Sequence, residues 1–137
     1  MSDPGVKACI IATPTPTHEA FVKAAVEGGK HVFCEKPLTS STAATKACYE
    51  AARKNKVILF CAYQRRFDPS YAYLKERARE GAVGPIQLIK MVSKDRPTNT
   101  LEYLASSGGI FHDAGTHDID LMTWILGELP IKVSSET

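Results

Sequence analysis

Long apolar runs are missing from this sequence of 137 residues. The longest, Val57 to Tyr63, has seven, against the roughly 18 that a membrane helix needs. Ala8 to Ala12 is likewise too short for a signal-peptide core. An excess of either charge is missing too. Seventeen basic and fifteen acidic side chains leave +2, which gives no reason to expect a nucleic-acid or anionic-membrane partner. Cysteine is sparse and unpatterned: Cys9, Cys34, Cys48 and Cys61 lie 25, 14 and 13 positions apart, with no C-x-x-C. That spacing fits neither a zinc ribbon nor a thioredoxin-like motif. Three of the four fall in apolar, strand-like runs, so the expectation is buried reduced thiols in a cytoplasmic protein. Gly 9 and Pro 8 are ordinary values and exclude collagen-like or linker-like readings. What remains is an ordinary globular composition, 44% hydrophobic and 23% charged, at a length that fits one domain of roughly 100–200 residues.

The pattern that is present alternates strands and helices. Val6 to Ala12 is a short, nearly continuous apolar run, as expected of a strand buried on both faces. Thr13-Pro14-Thr15-Pro16-Thr17 breaks it, because prolines remove donors and push the residues before them out of the helical region. Thr17 is then expected to cap a helix whose apolar stripe is Phe21, Ala24 and Ala25, stopped by Gly28 and Gly29. His31 to Cys34 reads as a second strand, ended by Glu35-Lys36-Pro37. Ser40 or Ser41 caps a helix carrying Ala44, Ala47, Cys48, Ala51 and Ala52 on one side. Val57 to Ala62 is a third strand, and Asp68 caps a third helix with Pro69 at its first position and Gly81 at its end. Such alternation marks β-α-β units and a parallel sheet, an α/β fold whose strand C-termini line one edge. After Gly84 the texture changes. Ile86 to Val92 alternates like a strand with one covered face, and an irregular stretch runs to Gly108-Gly109. A helix from about Ile110 to Leu126 ends at Gly127, and Ile131 to Ser134 reads as one more strand. A domain boundary is placed near Gly84.

Chemistry-bearing residues concentrate on that last helix and at the strand ends. Asp113 and His117 are four apart and are expected on one helical face, with Asp120 and Trp124 continuing it. A carboxylate beside an imidazole suits general acid–base catalysis; a structural His–Asp pair and a chelating metal site are the alternatives. Lys36 ends a parallel strand, where open α/β sheets bind ligands and where an ammonium could stabilise a developing alkoxide. A solvated surface lysine is the competing reading. His18 lies in a first helical turn, where the dipole disfavours a protonated ring. Arg65 and Arg66 follow a strand end and could grip a polar or anionic ligand. The remaining basic residues read as solvated helix faces.

In order, Ala12-Thr13-Pro14…His18, Glu35-Lys36-Pro37, Arg65-Arg66-Phe67-Asp68-Pro69 and Gly108-Gly109-Ile110-Phe111-His112-Asp113-x-x-x-His117-Asp118-x-Asp120 run across nearly the whole chain. Together they resemble the glucose–fructose oxidoreductase / inositol dehydrogenase / rhizopine-catabolism family, in its inositol dehydrogenase flavour. The resemblance implies the C-terminal half of a Rossmann-type parallel sheet in residues 1–84. It implies the start of a substrate-binding α/β domain with a mainly antiparallel sheet in residues 85–137. It implies hydride transfer between NAD or NADP and a sugar, inositol or other polyol. Lys36, Asp113 and His117 match the family's catalytic residues, and with Arg66 its substrate-binding ones. Thr13, Pro14, His18, Glu35, Lys36 and Gln64 match positions on the cofactor's nicotinamide side, and the peptide before Pro37 is expected to be cis. No metal, nucleic acid or membrane is implied, and a homo-oligomer is allowed. The family's G-x-G-x-x-G phosphate loop appears nowhere in the sequence, so the chain alone is expected to bind cofactor poorly and to be inactive. The alternative is a truncated, non-catalytic remnant that associates with a partner chain, because half a Rossmann sheet leaves a strand edge open.

Overall fold

The computed structural model describes residues 3–94 and 100–135, without the side chains of 105 and 106. Three short parallel strands form one sheet in the order β1-β2-β3: β1 (Ala8–Ile11), β2 (His31–Cys34) and β3 (Leu59–Cys61). Helices α1 (His18–Glu27) and α2 (Thr42–Lys54) make the crossovers between them. The strands are mostly apolar; β1 and β2 are bounded by proline and glycine breaks, whereas β3 follows a turn in which Lys56 has φ 56°.

Helix ends follow local chemistry, with one exception. Ser41 Oγ accepts from Ala44 N and caps α2. Asp68 accepts from Ser70 N and Tyr71 N and caps α3 (Pro69–Arg79), which begins with proline and is followed by Gly81 at φ 75°. Thr17 does not cap α1. The chain enters through a 3₁₀ turn over Thr15–Thr17, and the Thr17 hydroxyl donates to the Pro14 carbonyl at 2.7 Å instead. That extra turn also rotates the helix, so its buried stripe is Val22, Ala25 and Val26 while Phe21 is largely exposed.

Both helices lie on one side of the sheet. With Ile11, Val32, Cys34, Leu38 and Leu59 they enclose a small core around Val22, Val26, Cys48 and Ala52. The strands are therefore buried on one face only, not two. Ile10, Phe33 and Phe60 sit in register across the other face and are exposed there, with the Phe33 and Phe60 rings stacked at 5.4 Å and Phe67 tilted against Phe60. Right-handed crossovers in one direction put successive helices on the same side, which is why the second face lacks cover among the described residues.

All four cysteines are free thiols. Cys34 and Cys61 are partners across β2 and β3, and burial pushes their thiols up to about 12 and about 11. Such groups hold little thiolate at neutral pH and are poor nucleophiles.

Past Gly84 the strands expected over Ile86 to Val92 and Ile131 to Ser134 do not form. A strand needs a neighbour to satisfy its backbone, and no described strand pairs with either; Leu88 and Ile131 are exposed accordingly. The irregular stretch contains a short helix that the sequence did not suggest, α4 (Leu101–Ser106), capped by the Thr100 hydroxyl on Tyr103 N; the rest of it, 95–99, lies outside the described residues. The final helix begins as a π segment over Phe111–Gly115 and continues as α5 (Thr116–Leu126), closed by Gly127 at φ 72°. No helix among the described residues is long and apolar enough to cross a membrane.

Candidate active site

The C-terminal ends of the strands converge where the parallel sheet predicts. Thr13 and Pro14 follow β1 and are exposed, and Glu35 and Lys36 follow β2 and are half-buried. Gln64 opens a 3₁₀ turn, Gln64–Phe67, just beyond β3. The Lys36–Pro37 peptide is cis. His18 is buried and spans two of these loops: Nδ1 lies 2.9 Å from the Pro37 carbonyl oxygen and Nε2 lies 2.8 Å from that of Thr13. Both ring nitrogens are thereby engaged by the protein, so His18 braces the loops rather than presenting a free nitrogen to a ligand.

Lys36 reaches out of the sheet to the π segment. Its Nζ donates to the Asp113 backbone carbonyl at 2.7 Å and to Asp113 Oδ1 at 2.9 Å. Asp113 Oδ2 accepts from the Tyr103 hydroxyl at 2.8 Å. Both carboxylate oxygens are thus occupied, and among the described residues neither bonds to His117. The i,i+4 stacking expected of Asp113 and His117 assumed an α-helix. Asp113 stands on the π segment, and its carboxylate turns to Lys36 and Tyr103 instead. Gly108 and Gly109, at φ 82° and 88°, turn the chain into this segment, and a Cβ on Gly108 would come 3.3 Å from that of His112. His112 itself faces a separate cavity of about 480 Å³ lined also by Pro37, Tyr63 and Thr116.

His117 is buried at 9% exposure, edge-on to Tyr63 at 6.3 Å, and its Nδ1 has no hydrogen-bond partner among the described residues. Burial pushes its pKa below the ordinary 6.5, helped by the nearby cations of Lys36 and Arg65 against the pull of Asp118 and Glu35. A neutral imidazole at neutral pH can accept a proton. For Asp113, burial resists ionisation, but the hydrogen bonds from Lys36 and Tyr103 outweigh it and hold the carboxyl below 3.8.

These two shifts act in the same direction on stability. The unfolded chain takes up a proton at His117 as pH falls through 6.5, while the folded chain resists it. Below 3.8 the same holds for Asp113. Stability is therefore expected to decline on acidification in two stages. Urea midpoints measured between pH 7.5 and 2 check this, and the H117Q variant is expected to lose the upper stage; a wild-type midpoint that stays flat below pH 6.5 would contradict it.

The arginines after β3 are not free to grip a ligand with their whole guanidinium. Arg65 pairs with Asp118, which also accepts from Ser93 Oγ at 2.8 Å. Arg66 uses Nε, at 2.8 Å, and Nη2 on the two oxygens of Asp120, leaving Nη1 without a described protein partner. Tyr103, Tyr63 and Ser93 were not marked out by the sequence. The spacing of Asp118 and Asp120 opposite Arg65 and Arg66 was the one signal that could have revealed the pairs. Among the described residues no three His, Cys, Asp or Glu side chains cluster as metal ligands do.

Two family profiles and several known proteins match the chain. Residues 1–63 match the family profile described as "Oxidoreductase family, NAD-binding Rossmann fold", and residues 71–137 match the "GFO/IDH/MocA C-terminal domain". The chain is 39% identical over 128 residues to myo-inositol 2-dehydrogenase of Thermotoga maritima, covering 93% of this chain and 38% of that protein. It is 41% identical over 134 residues to scyllo-inositol 2-dehydrogenase (NAD(+)) of Bacillus subtilis, covering 98% and 39%. The crystal structure of a probable dehydrogenase from Thermotoga maritima superposes with a TM-score of 0.88 over 93% of this chain and 38% of that one, at 39% identity. A levoglucosan dehydrogenase in complex with NADH and levoglucosan does so with a TM-score of 0.76 at 31% identity, over 92% and 36%. The chain thus spans a little under two-fifths of the length of the relatives it matches. With family profiles matching residues 1–63 and 71–137, this chain belongs to the Gfo/Idh/MocA oxidoreductase family.

Proposed function

We propose that this chain carries the proton-handling part of an NAD-dependent dehydrogenase site for a polyol, with inositols as the first candidates. The observation that supports it most is the Lys36–Asp113 pair, which brings the end of β2 to the segment that leads into His117. The names of the relatives point the same way. In this reading residues 1–84 are a partial NAD(P)-binding domain and 85–137 begin the substrate-binding one.

The residues present fit the nicotinamide end of such a cofactor, where a polyol would meet it. His117 Nδ1 is an orphaned buried polar atom, and a polyol hydroxyl in the site is a natural partner for an imidazole. They do not fit its pyrophosphate, since the β1–α1 connection is Thr13-Pro14-Thr15-Pro16-Thr17 and has no glycine cradle. Thr13, Pro14, Glu35, Lys36 and Gln64 line the nicotinamide side, with His18 holding two of its loops. When bound, the nicotinamide supplies the acceptor for the carbinol hydride. His117 takes the hydroxyl proton on its neutral ring. Lys36 Nζ spends two donors on Asp113 and has a third for the substrate oxygen, where negative charge develops. Asp113 holds that ammonium in place, and Arg66 Nη1 is available to a second hydroxyl.

A graft tests the reading: the 128 residues matched in the Thermotoga maritima enzyme are replaced by those of this chain. NADH formation at 340 nm with a panel of inositols and sugars is the expected result. A graft that binds NAD yet oxidises none of them would refute it.

The open sheet face favours a second reading, association with a partner chain. Ile10, Phe33, Phe60 and Phe67 form an apolar surface on the sheet face that no described helix covers. Sedimentation velocity across a concentration series is expected to show growing mass, and a constant monomer would contradict it.

A further inference from the structure

Helix α5 continues directly out of the π segment, with Gly115 joining the two and two left-handed glycines preceding them. Its first turns are tied to the turn after β3. The Tyr63 hydroxyl meets Thr116 Oγ1 at 3.2 Å, Arg65 pairs with Asp118, and Arg66 pairs with Asp120 through two bonds. The contacts fall at every second residue of the first turn and a half, flanking His117 on both sides. Asp120 is the most enclosed of these carboxylates, its side chain only 10% exposed. A planar guanidinium gripping both its oxygens fixes orientation as well as distance.

We infer that Arg66 and Asp120 are positioning residues, whose two-bond pair locks α5 to the end of β3 and so sets where His117 stands relative to Lys36. The inference rests on the reading of His117 as the proton acceptor. Arg65 and Asp118 do similar work but also act on His117 directly through their charges, as do Lys36 and Glu35. Arg66 and Asp120 bond to each other and not to His117, so their pair acts on His117 through the position of α5.

The test reads His117 by NMR in the full 137-residue chain, following its Cε1–H resonance and titration midpoint. The Y63L variant gives the resonance position without the edge-on tyrosine ring. In D120A the resonance is expected to move toward that of Y63L, and the midpoint to rise toward 6.5 as burial is lost. D120N keeps one acceptor oxygen for Arg66 and is expected to retain most of the wild-type values. A folded D120A chain with both readings unchanged overturns the inference. If D120A does not fold, R66K decides: it keeps the charge without the fork and is expected to shift both readings partway, and no shift overturns the inference. Activity plays no part in the readout. An inactive graft alongside a displaced His117 therefore rejects the dehydrogenase reading alone, and an active graft with an undisturbed His117 rejects the positioning role alone.

Discussion

Alanine at position 117 is expected to lower the polyol turnover of the graft by about 10²–10⁴-fold, the usual contribution of a positioned general base. Cofactor affinity is expected to hold, because His117 sits on α5 and not at the strand ends. The ring is nearly enclosed, its pKa is pushed down by that burial and by Lys36, and Nδ1 has no protein partner to compete for it. Asp113 is a poor alternative acceptor, since both of its oxygens are bound and its carboxyl is held below 3.8. An H117A graft that keeps more than a tenth of its turnover would remove His117 from the mechanism.

The second large effect is on stability. Leu121 is the largest fully buried side chain of the described residues, at 1% exposure, and stands one turn beyond His117 on the same face of α5. Leu121→Ala is expected to cost about 2–5 kcal/mol, the transfer term plus the cavity left behind. Domains of this size are stable by only about 5–15 kcal/mol, so the unfolding midpoint should fall visibly. Leu129→Ala, at a leucine 82% exposed, is the control and is expected to change stability by no more than about 0.5 kcal/mol. Chemical denaturation of both variants checks this, and equal midpoints would show that α5 is not packed as described.

Much of the parallel half of the fold was legible in the chain, because its signals are local. Apolar runs bounded by Pro and Gly marked the strands, and Ser41 and Asp68 marked two helix starts through a bond each makes within three residues. What escaped depended on atoms far away in sequence. The one-sided burial of the sheet could not be read from Ile10, Phe33 and Phe60, which are as apolar as the core residues beside them. The apolar alternation after Gly84 suggested strands that need neighbours to exist. The site shows the same division. Lys36, Asp113 and His117 stood out by type and spacing, but an α-helical period paired Asp113 with His117. The π segment redirects it to a lysine 77 positions away. Arg65 and Arg66 looked like ligand-binding cations, yet aspartates 53 and 54 positions on had already claimed them.

The account turns on whether a substrate hydroxyl sits between Lys36 and His117. A crystal structure of the graft with NAD and an inositol measures this directly. The account predicts one carbinol oxygen within about 2.6–3.2 Å of both Lys36 Nζ and a ring nitrogen of His117. A polyol bound in register with the nicotinamide, but with its reacting oxygen out of reach of His117, would contradict it.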